Sequence, residues 1–265
     1  MSEPLAAPEP VTAAVPPAAP EPAPAAASPA ASPASRRLVA LAEILLCSSV
    51  PTQFAIGALL TMAGWTPMDA SGQLSLPFVL TLSLADTLLL IVLMILLMRA
   101  HGESASALWL GERPLKKEAL LGLLVIPFVF LLVVVLLNTL RLWAPWLHNV
   151  PTNPLEELAG GGAMNAAMFA LVAIFAGGVR EELQRAFLLH RFEQHLGGAW
   201  VGVIVLSVAF GLGHFVQGWD AAITTGTLGA FWAVLYLRRR SSVAPVVSHA
   251  GFNSLEILRV AIAGT

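Results

Sequence analysis

Charged residues are scarce: Asp, Glu, Lys and Arg make up 11% of the 265 residues, while 57% are hydrophobic. Soluble globular domains carry roughly a quarter charged residues, so this composition, with its positive mean hydropathy, indicates an integral membrane protein with the lipid bilayer as its surroundings. A formal net charge of −2 excludes a strongly basic nucleic-acid binder. Cysteine is almost missing as well. The single Cys47 lies in an apolar segment and reads as a small buried hydrophobe, which leaves no material for a disulfide framework or a cysteine-rich metal site.

Lys and Arg are absent from the first 35 residues, which contain 10 Pro and 13 Ala. Such a stretch can neither bury a core nor hold a continuous helix, so 1–35 is expected to be a disordered tail. Its prolines interrupt every candidate signal sequence, and the tail is expected to stay attached. The remainder, 36–265, is expected to be one membrane domain. Roughly 20 apolar residues cross a bilayer core. On that criterion the sequence divides into seven spans: Leu38 to Gly64, Leu76 to Met98, Ala119 to Leu140, Met164 to Phe192, Gly198 to Val216, Ala221 to Leu237 and Val243 to Ala263. The expected fold class is therefore an all-α polytopic bundle of about seven transmembrane helices. Pro51 and Pro127 fall inside spans and predict kinks. The segment from Arg141 to Gly162 reads as an interfacial loop with a tryptophan anchor, and Leu108-Trp109-Leu110 as a short amphipathic segment on the membrane face.

Basic residues set the expected orientation. Arg36, Arg37, Arg99, Arg113, Lys116, Lys117, Arg191 and Arg238 to Arg240 gather at alternate ends of the spans, whereas the other loops hold only Arg141, with Arg259 near the far end. This bias places the N-terminus and the even-numbered loops in the cytoplasm of a multi-pass inner (plasma) membrane protein.

Against this background the run Gly177-Gly178-Val179-Arg180-Glu181-Glu182-Leu183-Gln184-Arg185 stands out, because it puts two carboxylates and two arginines behind an apolar stretch. A charge at mid-bilayer costs at least ~2.5 kcal/mol, so such residues are functional candidates by default. Two later spans carry Phe210-x-x-x-His214 and His249-x-x-x-Asn253. At a rise of 1.5 Å per residue, Glu181 and His214 lie ~21 and ~25 Å from the Gly197-Gly198 turn, and His249 and Asn253 ~13 to 20 Å from the arginine triplet. All four fall in one layer, expected in the cytoplasmic half of the membrane. Arg185 is i+4 from Glu181 and i+3 from Glu182, so one arginine can partner one carboxylate and leave the other free for chemistry. The glycine pair permits close helix approach beside the acids. A lone buried His or Asn is commonly a hydrogen-bonding residue between helices, and a lone Glu pair a helix-end cluster. Three such motifs at one depth read as a reaction site. Asp86 and Glu256 stay open between ion pairing and participation, and Glu43 is expected at the interface.

These residues resemble the CPBP family, which includes the CAAX prenyl proteases and the bacteriocin-processing enzymes also called Abi proteins. That family is marked by Glu-Glu-x-x-x-Arg, Phe-x-x-x-His and His-x-x-x-Asn/Asp, each on a transmembrane helix. Here the second and third motifs match in full; the first departs, with its arginine one position early at Arg185 and Ala186 where the family has Arg. The specific likeness covers about 177–253. It implies an intramembrane endopeptidase acting on a membrane-associated or lipidated, CAAX-type peptide or protein. By that resemblance Glu181 is the general base that activates water, His214 assists it, His249 and Asn253 stabilise the oxyanion, and Glu182 with Arg185 orients and charge-balances the site.

Zinc chemistry stays open at this level. The sequence has no His-Glu-x-x-His motif, no Gly-x-Ser-x-Gly and no Gly-Asp in its late spans. Either a Glu/His water-activating site without a cofactor or a zinc site built from Glu181, His214 and His249 is compatible with these residue types. From other classes, a transporter or proton-coupled carrier could use the same buried groups, although no internal repeat is present. A catalytically silent immunity or scaffold protein would have no need to bury them.

Overall fold

A computed structural model describes residues 32–151 and 153–263. Residues 1–31 of the expected tail lie outside the described residues; the first helix begins inside it, at Pro33. The described chain is helical, and its only bridge of extended backbone joins Met68 and Leu74 in a loop. Helices satisfy every backbone donor and acceptor within one segment, as lipid surroundings demand. In order they are α1 (Pro33–Leu46), α2 (Val50–Met62), α3 (Leu76–Ala100), α4 (Ala105–Trp109), α5 (Leu115–Trp143), α6 (Pro154–Gly160), α7 (Ala163–Val172), α8 (Glu181–His195), α9 (Ala199–Leu212), α10 (Trp219–Arg239) and α11 (Val243–Ala263). A π-helical segment, Ala173–Arg180, joins α7 to α8 without a break.

Four helical stretches are long and apolar enough to cross a membrane: 33–62, 76–100, 115–143 and 163–195. The other three expected spans coincide in sequence with α9, α10 and α11, which are not among these four. Of the three, α9 has only 14 residues, and α10 and α11, at 21 residues each, are long enough but carry more polar side chains. The polarity of the bundle is inverted relative to a soluble protein. Leu88, Leu96, Leu124 and Leu131 point outward, while Asp86, Glu118, Glu182, Arg185, Arg191 and Asp220 are buried. Apolar side chains facing outward cost nothing in lipid, whereas ionised ones are tolerated only where a partner is at hand.

Several local expectations are altered. Pro51 goes with a break inside the first span, sharper than a kink. Proline has no N–H for the carbonyl four residues back, and the helix stops at Leu46 and restarts at Val50, with Ser49 at φ 70°. The carbonyl of Cys47 freed by this break accepts a hydrogen bond of 2.6 Å from Gln184 Nε2 on α8. Pro127, by contrast, is carried within an uninterrupted α5. In the segment expected on the membrane face, Trp109 turns inward and is buried, donating from Nε1 to the Leu183 carbonyl at 3.1 Å, while Leu110 is exposed. The 141–162 region holds α6, capped by Asn153, rather than a plain loop, while Trp143 and Trp146 are exposed as an aromatic anchor would be.

Glu43, expected at the interface, is buried in an ion-pair cluster at one end of the bundle, paired with Arg191 at 2.5 Å and His101 at 2.6 Å. At the same end of the bundle Arg239 pairs with the fully buried Glu118, and Arg240 makes a two-pronged bridge of 2.7 Å to Glu193.

Candidate active site

The geometry of the site begins in the π-helical segment. Widening from i+4 to i+5 bonding there rotates the start of α8 and commonly marks functional positions. Gly177 and Gly178 allow α11 to press against it: a Cβ at Gly178 would stand 2.5 Å from that of Ala250, and one at Gly177 would stand 2.6 Å from Asn253 Nδ2. Only residues without a side chain permit that approach. Asn253 donates from Nδ2 to the Ala173 carbonyl at 3.4 Å, tying α11 to the widened turn.

Glu181, His214, His249 and Asn253 all line one cavity of about 400 Å³. The three sequence motifs therefore converge. Glu182 faces away from the cavity and organises the wall behind it. Its carboxylate accepts from Arg185 Nε at 3.0 Å and from Arg185 Nη2 at 3.2 Å, and it also accepts from His249 Nδ1 at 2.8 Å. Glu182 and Arg185 are 1% and 4% exposed, so each strands a buried charge if the other is lost. Arg185 also lies over the Phe210 ring at 4.6 Å, a cation–π contact strengthened by its burial. At its early position the arginine reaches Glu182 directly, because the two are i,i+3 on this helix.

His249 is held on a second side. Trp232 stacks on its ring with centroids 3.8 Å apart and planes at 15°, and is itself fixed by donation from Nε1 to Ser248 Oγ at 3.2 Å. Since Nδ1 is occupied by Glu182, the other nitrogen, Nε2, is the one presented to Glu181, at 3.9 Å from Oε2. The nearest imidazole to Glu181 is therefore His249. His214, the partner implied by the resemblance, forms no ion pair with Glu181 among the described residues.

His214 lies beyond α9, which stops at Leu212, and not within a helix as the motif pattern implied. Its Nδ1 is 2.8 Å from the Phe210 carbonyl. A carbonyl only accepts, so Nδ1 carries the hydrogen and a neutral ring keeps its Nε2 lone pair available.

Two groups went unnoticed in the sequence. Trp232 gave no signal beyond apolarity. Arg180 was visible beside the acids, and a lone mid-span Asp86 demanded a buried cation, yet nothing in the sequence joined the two. The structure does: Arg180 Nη1 is 2.6 Å from Asp86 Oδ2, and Arg180 Nη2 is 3.2 Å from Glu181 Oε1. Asp86 thus has a pairing role. Glu256 lines the cavity and pairs with Arg259 at 3.0 Å.

Among the described residues no group of three His, Cys, Asp or Glu side chains is arranged to hold a metal ion. The zinc set Glu181, His214 and His249 shares a cavity without converging on a point, so these three side chains do not fit the ion as they stand. From the site the cavity extends past Phe169, Leu228 and Phe252 to Leu137, Asn153, Glu156 and Gln217. These last residues belong to the end of the bundle opposite the arginine- and lysine-rich loops, so the space beside Glu181 runs away from the side expected to be cytoplasmic.

Comparison with known proteins bears directly on this constellation. Residues 163–255 match the family model described as type II CAAX prenyl endopeptidase Rce1-like. Searches among curated proteins and among solved structures give no match. The matched segment contains Glu181, Glu182, Arg185, His214, His249 and Asn253, and it runs from the start of α7 into α11. The chain therefore carries, over 163–255, an Rce1-like domain set in a helical membrane bundle, which supports a CPBP-type intramembrane protease.

Proposed function

We propose that the protein hydrolyses a peptide bond in a membrane-associated or lipidated, CAAX-type substrate, with water activated at Glu181. One observation carries the reading. Glu181 on α8, His214 beyond α9, and His249 with Asn253 on α11 line a single cavity, while the adjacent Glu182 is committed to Arg185 and His249. That leaves Glu181, whose Oε1 pairs with Arg180, with its Oε2 edge to act as the base.

Glu181 and His214 Nε2 both face the space where a water and a scissile carbonyl would meet, and either can accept the proton as hydroxide adds to carbon. The tetrahedral intermediate then carries an oxyanion. Asn253 Nδ2 donates to it, as does His249 Nε2 in the imidazolium form, whose charge Glu182 balances through Nδ1. Return of the proton to the departing amine completes the cleavage. Glu182, Arg185 and Trp232 fix the His249 ring so that these donors need no rearrangement during the reaction.

The mostly apolar cavity wall suits a lipid-bearing or hydrophobic peptide, and the Rce1-like match supports the CAAX class. The decisive experiment follows cleavage of a fluorogenic peptide ending in a farnesylated Cys-Ala-Ala-X sequence by the purified protein in detergent. Wild-type turnover that Glu181→Gln and His214→Ala abolish supports the reading; undiminished turnover in Glu181→Gln refutes it. A carrier would instead give proton flux in liposomes with no cleavage. Prior treatment with a strong zinc chelator should leave turnover intact, and loss that added zinc restores would put a metal back into the mechanism.

A further inference from the structure

Asp86 is fully buried in the middle of α3, outside the segment matched to the family, and has more partners than a charge-neutralising role requires. It accepts from Thr52 Oγ1 at 2.5 Å, from Gln53 Nε2 at 3.3 Å and from Arg180 Nη1 at 2.6 Å. Arg180 in turn donates to Ser49 Oγ at 2.8 Å and to its own helix at the Ala176 carbonyl at 3.3 Å. Its remaining nitrogen, Nη2, is directed to Glu181 Oε1 at 3.2 Å. Four of the five N–H groups of a guanidinium lie on two nitrogens that form a rigid fork. With one prong of that fork fixed on Asp86 and Ser49, the other has little freedom of direction.

The fixed prong rests on the break between α1 and α2. Ser49, Thr52 and Gln53 surround Pro51, and the break is also tied to α8 through Gln184, which donates to the Cys47 carbonyl at 2.6 Å and to Ser49 Oγ at 3.3 Å. Two connections therefore run from the proline-induced break, one to Arg180 at the end of the π-helical segment and one to Gln184 in α8, on either side of Glu181 in the sequence.

We propose that Asp86 and Arg180, seated on the Ser49–Gln53 turn, form a positioning device that sets the direction of the Glu181 carboxylate. The N-terminal helices, outside the matched segment, thereby complete the site. Arg180 is a positioning residue and not a catalytic one. Its fork holds Oε1 of Glu181 and leaves Oε2 toward His249 Nε2 and the cavity. The other charged and titratable groups around Glu181 are Glu182 on its own helix, His249 and Glu256 on α11 and His214 beyond α9. None of these makes a direct hydrogen bond to the Glu181 carboxylate among the described residues. The inference rests on the reading of Glu181 as the base, and its test includes an arm that does not depend on turnover.

Single removal of either buried charge endangers folding, so the informative protein is Asp86→Asn/Arg180→Gln, which removes both together. In the full-length protein in detergent, this double variant should keep a cooperative melt. On the farnesylated Cys-Ala-Ala-X peptide it should lose kcat by about 10²-fold, the scale of a misplaced catalytic group, with KM changed less than about threefold. Arg180→Lys, which retains the cation, should recover part of kcat. Independently of cleavage, dicyclohexylcarbodiimide, which adds to accessible intramembrane carboxyl groups, should modify Glu181 several-fold faster in the double variant, where Arg180 no longer holds Oε1, than in wild type, scored by peptide mass spectrometry. Wild-type kcat together with unchanged Glu181 labelling would overturn the device. If Glu181→Gln proves fully active, the labelling arm alone decides the question, and unchanged labelling again refutes it.

Discussion

The Nδ1 atom of His249 lies 2.8 Å from the same Glu182 carboxylate that receives both prongs of Arg185. Two neighbouring carboxylates are thereby placed differently, Glu182 enclosed by Arg185 and His249 and Glu181 lining the cavity. Glu182→Gln should lower stability by about 3 to 5 kcal/mol, because it leaves Arg185 as an uncompensated buried charge. It should lower kcat too, as His249 loses its anchor. Glu181→Gln should abolish turnover while leaving the detergent melting temperature within a degree or two of wild type. Parallel melts and turnover assays check the contrast, and equal melting temperatures for the two variants would refute it.

The two glycines before the acids should fail in different ways. At Gly178 the obstacle is Ala250, including its backbone Cα at 2.9 Å, which cannot move alone. Gly178→Val should cost about 1 to 3 kcal/mol or prevent folding, and Ala250→Gly should partly rescue it. At Gly177 the obstacle is the end of the Asn253 side chain. Gly177→Ala should keep most stability but reduce kcat up to about 10²-fold, as for loss of one oxyanion donor. Thermal melts and steady-state kinetics on both variants distinguish the two outcomes.

Stability should depend on pH through Glu103 in the loop after α3. Burial pushes this carboxyl up, but Arg191, 2.7 Å from both of its oxygens, and His190 at 3.2 Å outweigh burial and hold it below its ordinary value of 4.5. A carboxyl lowered on folding contributes stability that is complete above the unfolded value and is lost as pH falls through the lower folded one. Glu43 and His101 share the cluster through Arg191. The melting temperature of wild type should therefore exceed that of Glu103→Gln at pH 6, with the gap closing below about pH 4.5. A gap that widens on acidification would contradict this assignment.

Orientation can be tested with the exposed Lys117 at the start of α5. In a Cys47→Ser background, Lys117→Cys should react in intact cells only with a membrane-permeant thiol reagent, as the basic loops predict. Reaction with an impermeant reagent would invert the topology and, with it, the side toward which the cavity runs.

Much of the architecture followed from one-dimensional pattern. Scarce charge and apolar stretches of membrane length specify a helical bundle, because hydropathy and the need to satisfy backbone groups in lipid act on each segment by itself. The i+3 and i+4 spacings around Glu181 and His249 specified which side chains share a helix face, and the pairing of Glu182 with Arg185 is a direct result of that spacing. Three things were decided only by tertiary structure. The break at Pro51 became a hub because Gln184 and Arg180 arrive there from more than 130 residues away. Asp86 found its cation on another helix. His249, not His214, came nearest to Glu181, because α9 ends before His214 while the glycine pair draws α11 onto the π-helical turn. Helix periodicity fixes angles within a segment, but the contacts that orient a reacting carboxylate depend on how separate segments are rotated and how deeply they pack against one another, and those quantities exist only once the bundle has formed.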